Sequence, residues 1–428
     1  MAGSRDKVHL SDLCEAIVDC EHKTALTQPW GIPSIRTTNI NNGRLDIENA
    51  NRVSEETYKK WTVRLEPQPG DLILAREAPV GEVGIVPLGQ RVCLGQRTVL
   101  IRTTKQKLVS RYLLYLLLTP KMQHEMVSRA EGSTVPHINM SDIRNLEILH
   151  LPPLSEQKAI AHILSTLDDK IELNQQMNRN LEALAQAIFK SWFVDFDPVK
   201  AKMEGRQPAG MDIETAALFP DSFEDSQVGE IPKGWRVGAL QEIAEIVMGQ
   251  SPPGETYNEL GEGMPFYQGA RDFGFRFPTR RVYCTAPTRF AEKDDTLFSV
   301  RAPVGNLNIA MEPCAIGRGV AALRLKIKPG GFLYYLLNAN QSQWEKFEAE
   351  GTVFGSVSKS DVQDFQIIVP CSELLRQFGG LVKPLDAQIE SNECENRTLA
   401  AIRDALLPKL MSGEIRVKEA EKLVAAAA

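Results

Sequence analysis

Between residues 160 and 192 one set of positions advances by alternating steps of four and three. It runs Ile160, Leu164, Leu167, Ile171, Asn174, Asn178, Leu181, Ala185, Ile188 and Trp192. That spacing puts all ten on one stripe of a helix, suited to packing along a second helix. Pro152-Pro153 and Ser155 mark its start, with Ser155 as the expected N-cap. A helix of this length spans about 55 Å. Moving 218 positions on gives Phe378, Val382, Leu385, Ile389, Asn392, Asn396, Leu399, Arg403, Leu406 and Leu410. The second stripe departs from the first only where Arg403 stands for Ala185. Asn174 and Asn178 recur as Asn392 and Asn396, either as solvated positions near a frayed turn or as polar pairs that fix helix register.

Ahead of each stripe lie short β-rich runs broken by Gly and Pro, such as Leu72–Ala75, 83–86 and 99–101. A helix follows over 110–129 in the first region and over 331–348 in the second. The regions are copies of one another. "GDLILAREAPVGEVGIV" at 70–86 matches "DDTLFSVRAPVGNLNIA" at 294–310, and "CLGQRTVLI" at 93–101 matches "AIGRGVAAL" at 315–323. "YLLYLLL" at 112–118 matches "FLYYLLN" at 332–338, and "EGSTVPHINMSDI" at 131–143 matches "EGTVFGSVSKSDV" at 350–362. "GIPSIRTTNI" at 31–40 pairs with "GMPFYQGARDF" at 263–273. The expected class is therefore α+β: two tandem globular repeats separated by a pair of long antiparallel, coiled-coil-like helices, with the repeats at opposite ends. The expected boundaries are 1–150, a helix over 151–198, a loop-rich acidic linker over 199–227, then 228–370, a helix over 371–417 and a tail over 418–428.

Charge adds one detail. The net charge of −6 is concentrated in residues 151–227, which hold 7 basic and 13 acidic side chains. Residues 1–150 hold 19 basic and 17 acidic, leaving room for a basic face. Seven cysteines without a Cys-x-x-Cys indicate neither zinc ribbon nor disulfide framework. No apolar run approaches a membrane span and the N-terminus has no signal-peptide core, which points to the cytoplasm. Enzyme chemistry finds no home: there is no phosphate loop, no dinucleotide loop and no amino-methyltransferase motif. All six histidines lie in the first repeat and the first helix, without metal-ligand spacing. No catalytic residue and no metal site is expected.

The segment "LPPLSEQKAIAHILSTLDDKIELNQQMNRNLEALAQAIFKSWFVDF" (151–196) and the closing "LLPKLMSGEIRV" (406–417) resemble the specificity subunits of type I restriction–modification systems. "GDLILAREAPVG" and "GSTVPHI" resemble signatures of that family's target-recognition domains. The second repeat departs from the pattern where Leu374, not Gln, follows Ser372-Glu373. The resemblance implies a non-catalytic subunit that reads a bipartite double-stranded DNA target, each domain one half, with the helices setting the spacing. It also implies two adenine methyltransferase subunits and restriction/translocase subunits as partners. S-adenosylmethionine, ATP and magnesium belong to those partners and no cofactor to this chain. The competing readings are a DNA-binding or coiled-coil scaffold protein without such partners, a stand-alone methyltransferase, and a dimeric repressor, for which no helix-turn-helix pattern is found.

The DNA-contact candidates are the polar loops that recur. In the first repeat these are Arg36, Thr37, Thr38, Asn39, Arg76, Arg97, Ser133, Thr134 and His137. In the second they are Gln268, Arg271, Arg301, Arg318, Thr352, Ser356, Ser358 and Lys359, with Arg280 and Arg281 on phosphate. Each is set against the plain alternative of a solubilising surface residue. Pro79-Val80-Gly81 and Pro303-Val304-Gly305 read as structural turns. Gln157 and Lys158 are expected on the surface at the helix start, facing partners. Trp192 and Phe193 face either partners or the protein's own core.

Overall fold

The computed structural model describes residues 8–132, 134–347 and 355–427. They form two compact units: Met1–Leu173 with Glu395–Ala428, and Asn174–Cys394. The first unit contains strands β1 (Cys14–Asp19), β2 (Ile32–Ile35), β3 (Leu72–Ala75), β4 (Val83–Ile85), β5 (Cys93–Leu94) and β6 (Thr98–Thr103). Helix α1 (Ser110–Leu118) and the long helix α2 (Leu154–Phe193) follow. The second unit repeats the series: β7 (Ala244–Met248), β8 (Met264–Tyr267), β9 (Thr296–Ser299), β10 (Leu307–Ile309), β11 (Cys314–Ile316), β12 (Val320–Leu325) and α3 (Phe332–Ala339). The chain closes with α4 (Ser372–Ser412) and α5 (Val417–Ala427).

Strand order repeats with the sequence. One antiparallel sheet runs β1-β6-β3-β4 in the first unit and β7-β12-β9-β10 in the second. A second sheet holds a parallel pair in each: β2 with β5, Ser34 opposite Cys93, and β8 with β11, Phe266 opposite Ala315. β3 is buried along its whole length because both faces of its sheet are covered. Leu72 and Leu74 face the core shared with α1 and the long helices. Ile73 and Ala75 face the core shared with Ile35 and Leu94. A period-two strand thus divides two cores, which is why "LILA" reads as an unbroken apolar run.

Both expected stripes are interior. In the first unit Ile160, Leu164 and Leu167 pack with Leu399, Leu406 and Leu410. In the second, Ala185 and Trp192 join Phe378, Val382 and Ile389, with Phe189 in the core while Ile188 lies at its margin. Within each unit the two helix segments are antiparallel: Asp168 pairs with Arg403 and Lys170 with Glu395, so one chain rises as the other falls. In the second unit Asn392 donates to Asn178 Oδ1 at 2.7 Å, and Asn178 donates to Glu393 at 2.7 Å. Asn174 and Asn396 are also buried.

Four local expectations change. α2 begins at Leu154, with Pro153 accepting the first helical N–H groups, so Ser155 lies inside the first turn. The helix expected over 110–129 breaks at Thr119. Pro120 has no N–H to donate, and the Thr119 hydroxyl caps a second helix, Pro120–Ser128. In the second repeat the break falls at Asn340, between α3 and Gln341–Glu345. The stretch expected as a loop-rich linker holds helices Asp197–Met203 and Ile213–Ala217 and a hairpin, Phe223–Ser226 with Gly229–Pro232. It is anchored by Phe219, whose ring lies 5.3 Å from that of Trp192. Pro198 sits in the first turn, where a missing N–H costs nothing.

A helix aspartate ties each repeat to its seam. In the second unit Arg276 is fully buried and is ion-paired to both Asp386 of α4 and Glu182 of α2. It donates to Tyr335 Oη at 2.9 Å and lies over the Tyr334 ring at 3.6 Å, while Tyr335 donates to Asp386 at 2.7 Å. Burial pushes the Asp386 carboxyl up and the adjacent guanidinium opposes that shift. In the first unit Tyr115 donates to Asp168 at 2.6 Å, Arg403 donates to the same carboxylate at 2.7 Å, and Arg44 donates to the Asp168 carbonyl at 2.5 Å. This explains the one break in the seam pattern: the cation comes from the opposite helix in one unit and from the globular repeat in the other. Arg276→Ala strands one buried and one half-buried carboxylate and is expected to cost about 3–5 kcal/mol, read as a lowered urea midpoint for the second unit. Arg44→Ala, at a partly exposed site, is expected to cost less than about 1 kcal/mol, read from the urea midpoint of the first unit.

Candidate nucleic-acid interface

Each repeat gathers its polar loops around the same backbone scaffold. In the first unit the turn after β3, the loop between β5 and β6 and the 131–138 loop are laced together. Arg76 N–H donates to the Arg97 carbonyl at 2.8 Å, and Ile138 N–H to the Arg76 carbonyl at 3.0 Å. Glu131 and His137 exchange both backbone bonds at 2.9 and 2.8 Å. In the second unit Val300 N–H donates to the Gly319 carbonyl at 3.0 Å, and Val357 N–H to the Val300 carbonyl at 2.9 Å. The scaffold is therefore duplicated, but the residues on it are not. Val300 and Gly319 stand where Arg76 and Arg97 do, so Arg301 and Arg318 are each displaced by one position from the expected correspondence.

Several candidates are spent on the scaffold. Arg76 is largely buried, donating to Asp19 Oδ2 at 2.6 Å and to the Ile138 carbonyl at 3.1 Å. Asn39 is buried and accepts the Arg36 N–H at 3.2 Å, closing the turn Thr37–Asn39, in which Thr37 is buried too. Ser358 is the N-cap of the helix Lys359–Gln363 and accepts from Asp361 N–H at 3.2 Å. Arg281 is held by the buried Asp272 at 2.8 Å, and Arg280 by Glu312 at 2.6 Å. Arg97, in a left-handed conformation, is exposed but paired with Glu77.

Others are presented. Arg36, Thr38 and Thr134 are exposed in the first unit, and Gln268, Arg271, Arg301, Ser356 and Lys359 in the second. Among the described residues Arg36, Arg271, Arg301 and Lys359 have no ion-pair partner. Arg318 is exposed and leans on Ser251 Oγ at 3.3 Å. His137 is half-buried. Ser133 and Thr352 lie outside the described residues.

On the helices one expectation is overturned and one open choice is decided. Gln157 is 1% exposed and braces the start of α2: it accepts from Val109 N–H at 2.9 Å and donates to the carbonyls of Lys107 and Pro152 at 3.1 and 2.9 Å. An amide at that position satisfies three backbone groups, which a sequence pattern does not reveal. Trp192 and Phe193 are core residues, with rings near those of Phe219, Phe332 and Phe378. Lys158 is exposed, as expected.

For metal, one His/Cys/Asp/Glu group is close enough among the described residues: Asp19, Cys20 and His22. Its carboxylate already bonds Arg76 at 2.6 Å and His22 at 3.0 Å, and burial pushes the Cys20 thiol up, away from the thiolate a metal needs. No helix among the described residues is long and apolar enough to cross a membrane.

The family model for the type I restriction modification DNA specificity domain matches residues 5–183 and again 232–400. A Methanocaldococcus jannaschii protein provisionally named the type I restriction enzyme MjaX specificity subunit is 31% identical, over 91% of this chain and 88% of its own. The type I restriction enzyme MjaIX specificity subunit of the same organism is 28% identical, over 97% and 94%. In fold alone, the crystal structure of a type I restriction-modification system S subunit from M. genitalium aligns over 96% of this chain and 97% of that one. Its TM-score is 0.57 at 19% identity.

Arg76→Ala removes a charged bond and a carbonyl bond at a largely buried site, and is expected to cost about 1.5–3 kcal/mol. Thr38→Ala and Arg271→Ala are expected to stay within about 0.5 kcal/mol of the parent. Chemical denaturation of the three variants distinguishes scaffold from presented residues.

Proposed function

The chain belongs to the type I restriction–modification DNA specificity family, and from that premise we propose that it reads a two-part DNA target and positions modification and restriction subunits on it. The observation that carries this reading is the duplication: the family domain matches twice, and each match folds on the same scaffold with its own exposed polar side chains. Two modules of limited affinity joined in one chain bind a split site far more tightly than either does alone, through effective concentration.

Within this reading each repeat contributes base contacts from its presented loops. Arg reads guanine, while Gln, Ser and Thr reach other base edges. Thr38 and Thr134 serve one half-site, with Arg36 on its backbone, and Gln268, Arg271, Arg301, Ser356 and Lys359 the other. The buried Asn178–Asn392 bond fixes the register of the helix pair in the second unit, since any slip leaves amides unpaired in an apolar seam. Catalysis belongs to the partners: methyltransferase subunits with S-adenosylmethionine, and restriction subunits with ATP and magnesium. The chain itself works in the cytoplasm as a non-catalytic adaptor.

Co-expression with methyltransferase subunits of its own system, followed by genome-wide adenine-methylation mapping, tests the proposal. The expected result is methylation at a two-part motif with a fixed gap, lost when this chain is left out. Methylation that persists without the chain contradicts it.

A further inference from the structure

In the first unit a small concave pocket opens beside β2. Lys23, Thr24, Ser34, Arg36, Trp61 and Gln96 contribute to its lining, and no carboxylate does. Ser34 is 4% exposed overall, and its hydroxyl, on the pocket lining, makes no hydrogen bond among the described residues. Neither Lys23 nor Arg36 has an ion-pair partner among them. The acidic neighbours are engaged elsewhere: Asp19 with Arg76 and His22, and Glu21 with Arg64 at 3.6 Å. Gly95 lets the strand end pass close, since a Cβ there would lie 2.6 Å from the Ile35 carbonyl oxygen and 2.7 Å from Arg36 Cγ.

The second unit has the same backbone with a different pocket chemistry: its cation is Arg318, at the position of Gln96. At the position of Ser34 stands Phe266, 1% exposed, with its ring 4.8 Å from that of Tyr257. At the position of Arg36 stands the neutral Gln268. An aromatic ring thus takes the place that the first repeat gives to a hydroxyl.

We propose that the pocket of Lys23, Ser34 and Arg36 is a seat for one phosphate of the DNA backbone in the first repeat, with a lining that the second repeat does not reproduce. The proposal rests on the DNA-binding reading above. A phosphate brings acceptor oxygens to an ammonium, a guanidinium and a hydroxyl, and such contacts fix position without reading sequence. The two half-sites are then held differently: the first through Lys23 and Arg36 of this pocket, the second through the differently placed Arg318.

The test measures DNA affinity against salt for the full chain in complex with its methyltransferase subunits, on a duplex carrying the mapped motif. Each phosphate neutralised contributes about 0.9 to the slope of log affinity against log salt. The double variant K23A/R36Q and the pocket-filling Ser34→Phe are each expected to lower the slope by about that amount. Between 50 and 200 mM salt this corresponds to an affinity loss about threefold smaller than the parent's. Lys60→Ala, an exposed cation paired with Glu56, is expected to leave the slope unchanged. Lys23 and Arg36 are exposed, so the double variant remains informative if Ser34→Phe fails to fold. Parent binding with an unaltered slope in the double variant overturns the phosphate seat and leaves the DNA reading standing. A parent complex that does not bind the duplex overturns both.

Discussion

Asp168 and Asp386 each place a carboxylate where a long helix meets a globular repeat, and a carboxylate so withdrawn from water must be neutralised there. Both are met by a tyrosine from the short helix of the repeat, Tyr115 or Tyr335, at 2.6 or 2.7 Å. They differ in the cation. Arg403 on the opposite helix serves Asp168, while Arg276 of the repeat serves Asp386 and Glu182 together. Apolar packing along the seam tolerates small sliding, but a buried ion pair with a shared hydroxyl does not. The aspartates therefore set where each repeat docks on its helix segments, and the presented loops inherit their position from that docking.

This arrangement was partly legible in the residues. The four-three stripe named the seam positions, and the internal repeat named the strands of both units, because a buried strand between two cores and a buried helix stripe leave strong periodic marks. Arg276 left none. A lone arginine in "GFRFP" looks like any surface cation, and its burial depends on Glu182 and Asp386, which are 94 and 110 residues away. Gln157 misled for a related reason: a polar residue in the first turn of a helix is ordinarily exposed, and only its contacts with Val109, Lys107 and Pro152 show otherwise. The segment over 199–227 was read as a loop-rich linker, yet a helix with Pro198 in its first turn runs into it and Phe219 carries it into the core.

The candidate interface shows the same division. Loops that recur in sequence do come together on one scaffold in each unit, but recurrence did not separate scaffold from contact. Arg76 and Asn39 are consumed by the turns they belong to, whereas Arg36, Arg271 and Arg301 remain available. Chain duplication followed by divergence at the presented positions suits a reader of two unlike half-sites. The backbone hydrogen bonds stay, and the side chains they hold out are exchanged.

That separation of duties is tested most directly by mapping methylation in cells carrying Thr38→Ala or Arg271→Ala in this chain. Each substitution is predicted to relax one half of the motif, a different half in each case, while the gap between halves stays fixed. If either change relaxes both halves, or if both act on the same half, the account of two independent readers on one spacer is contradicted.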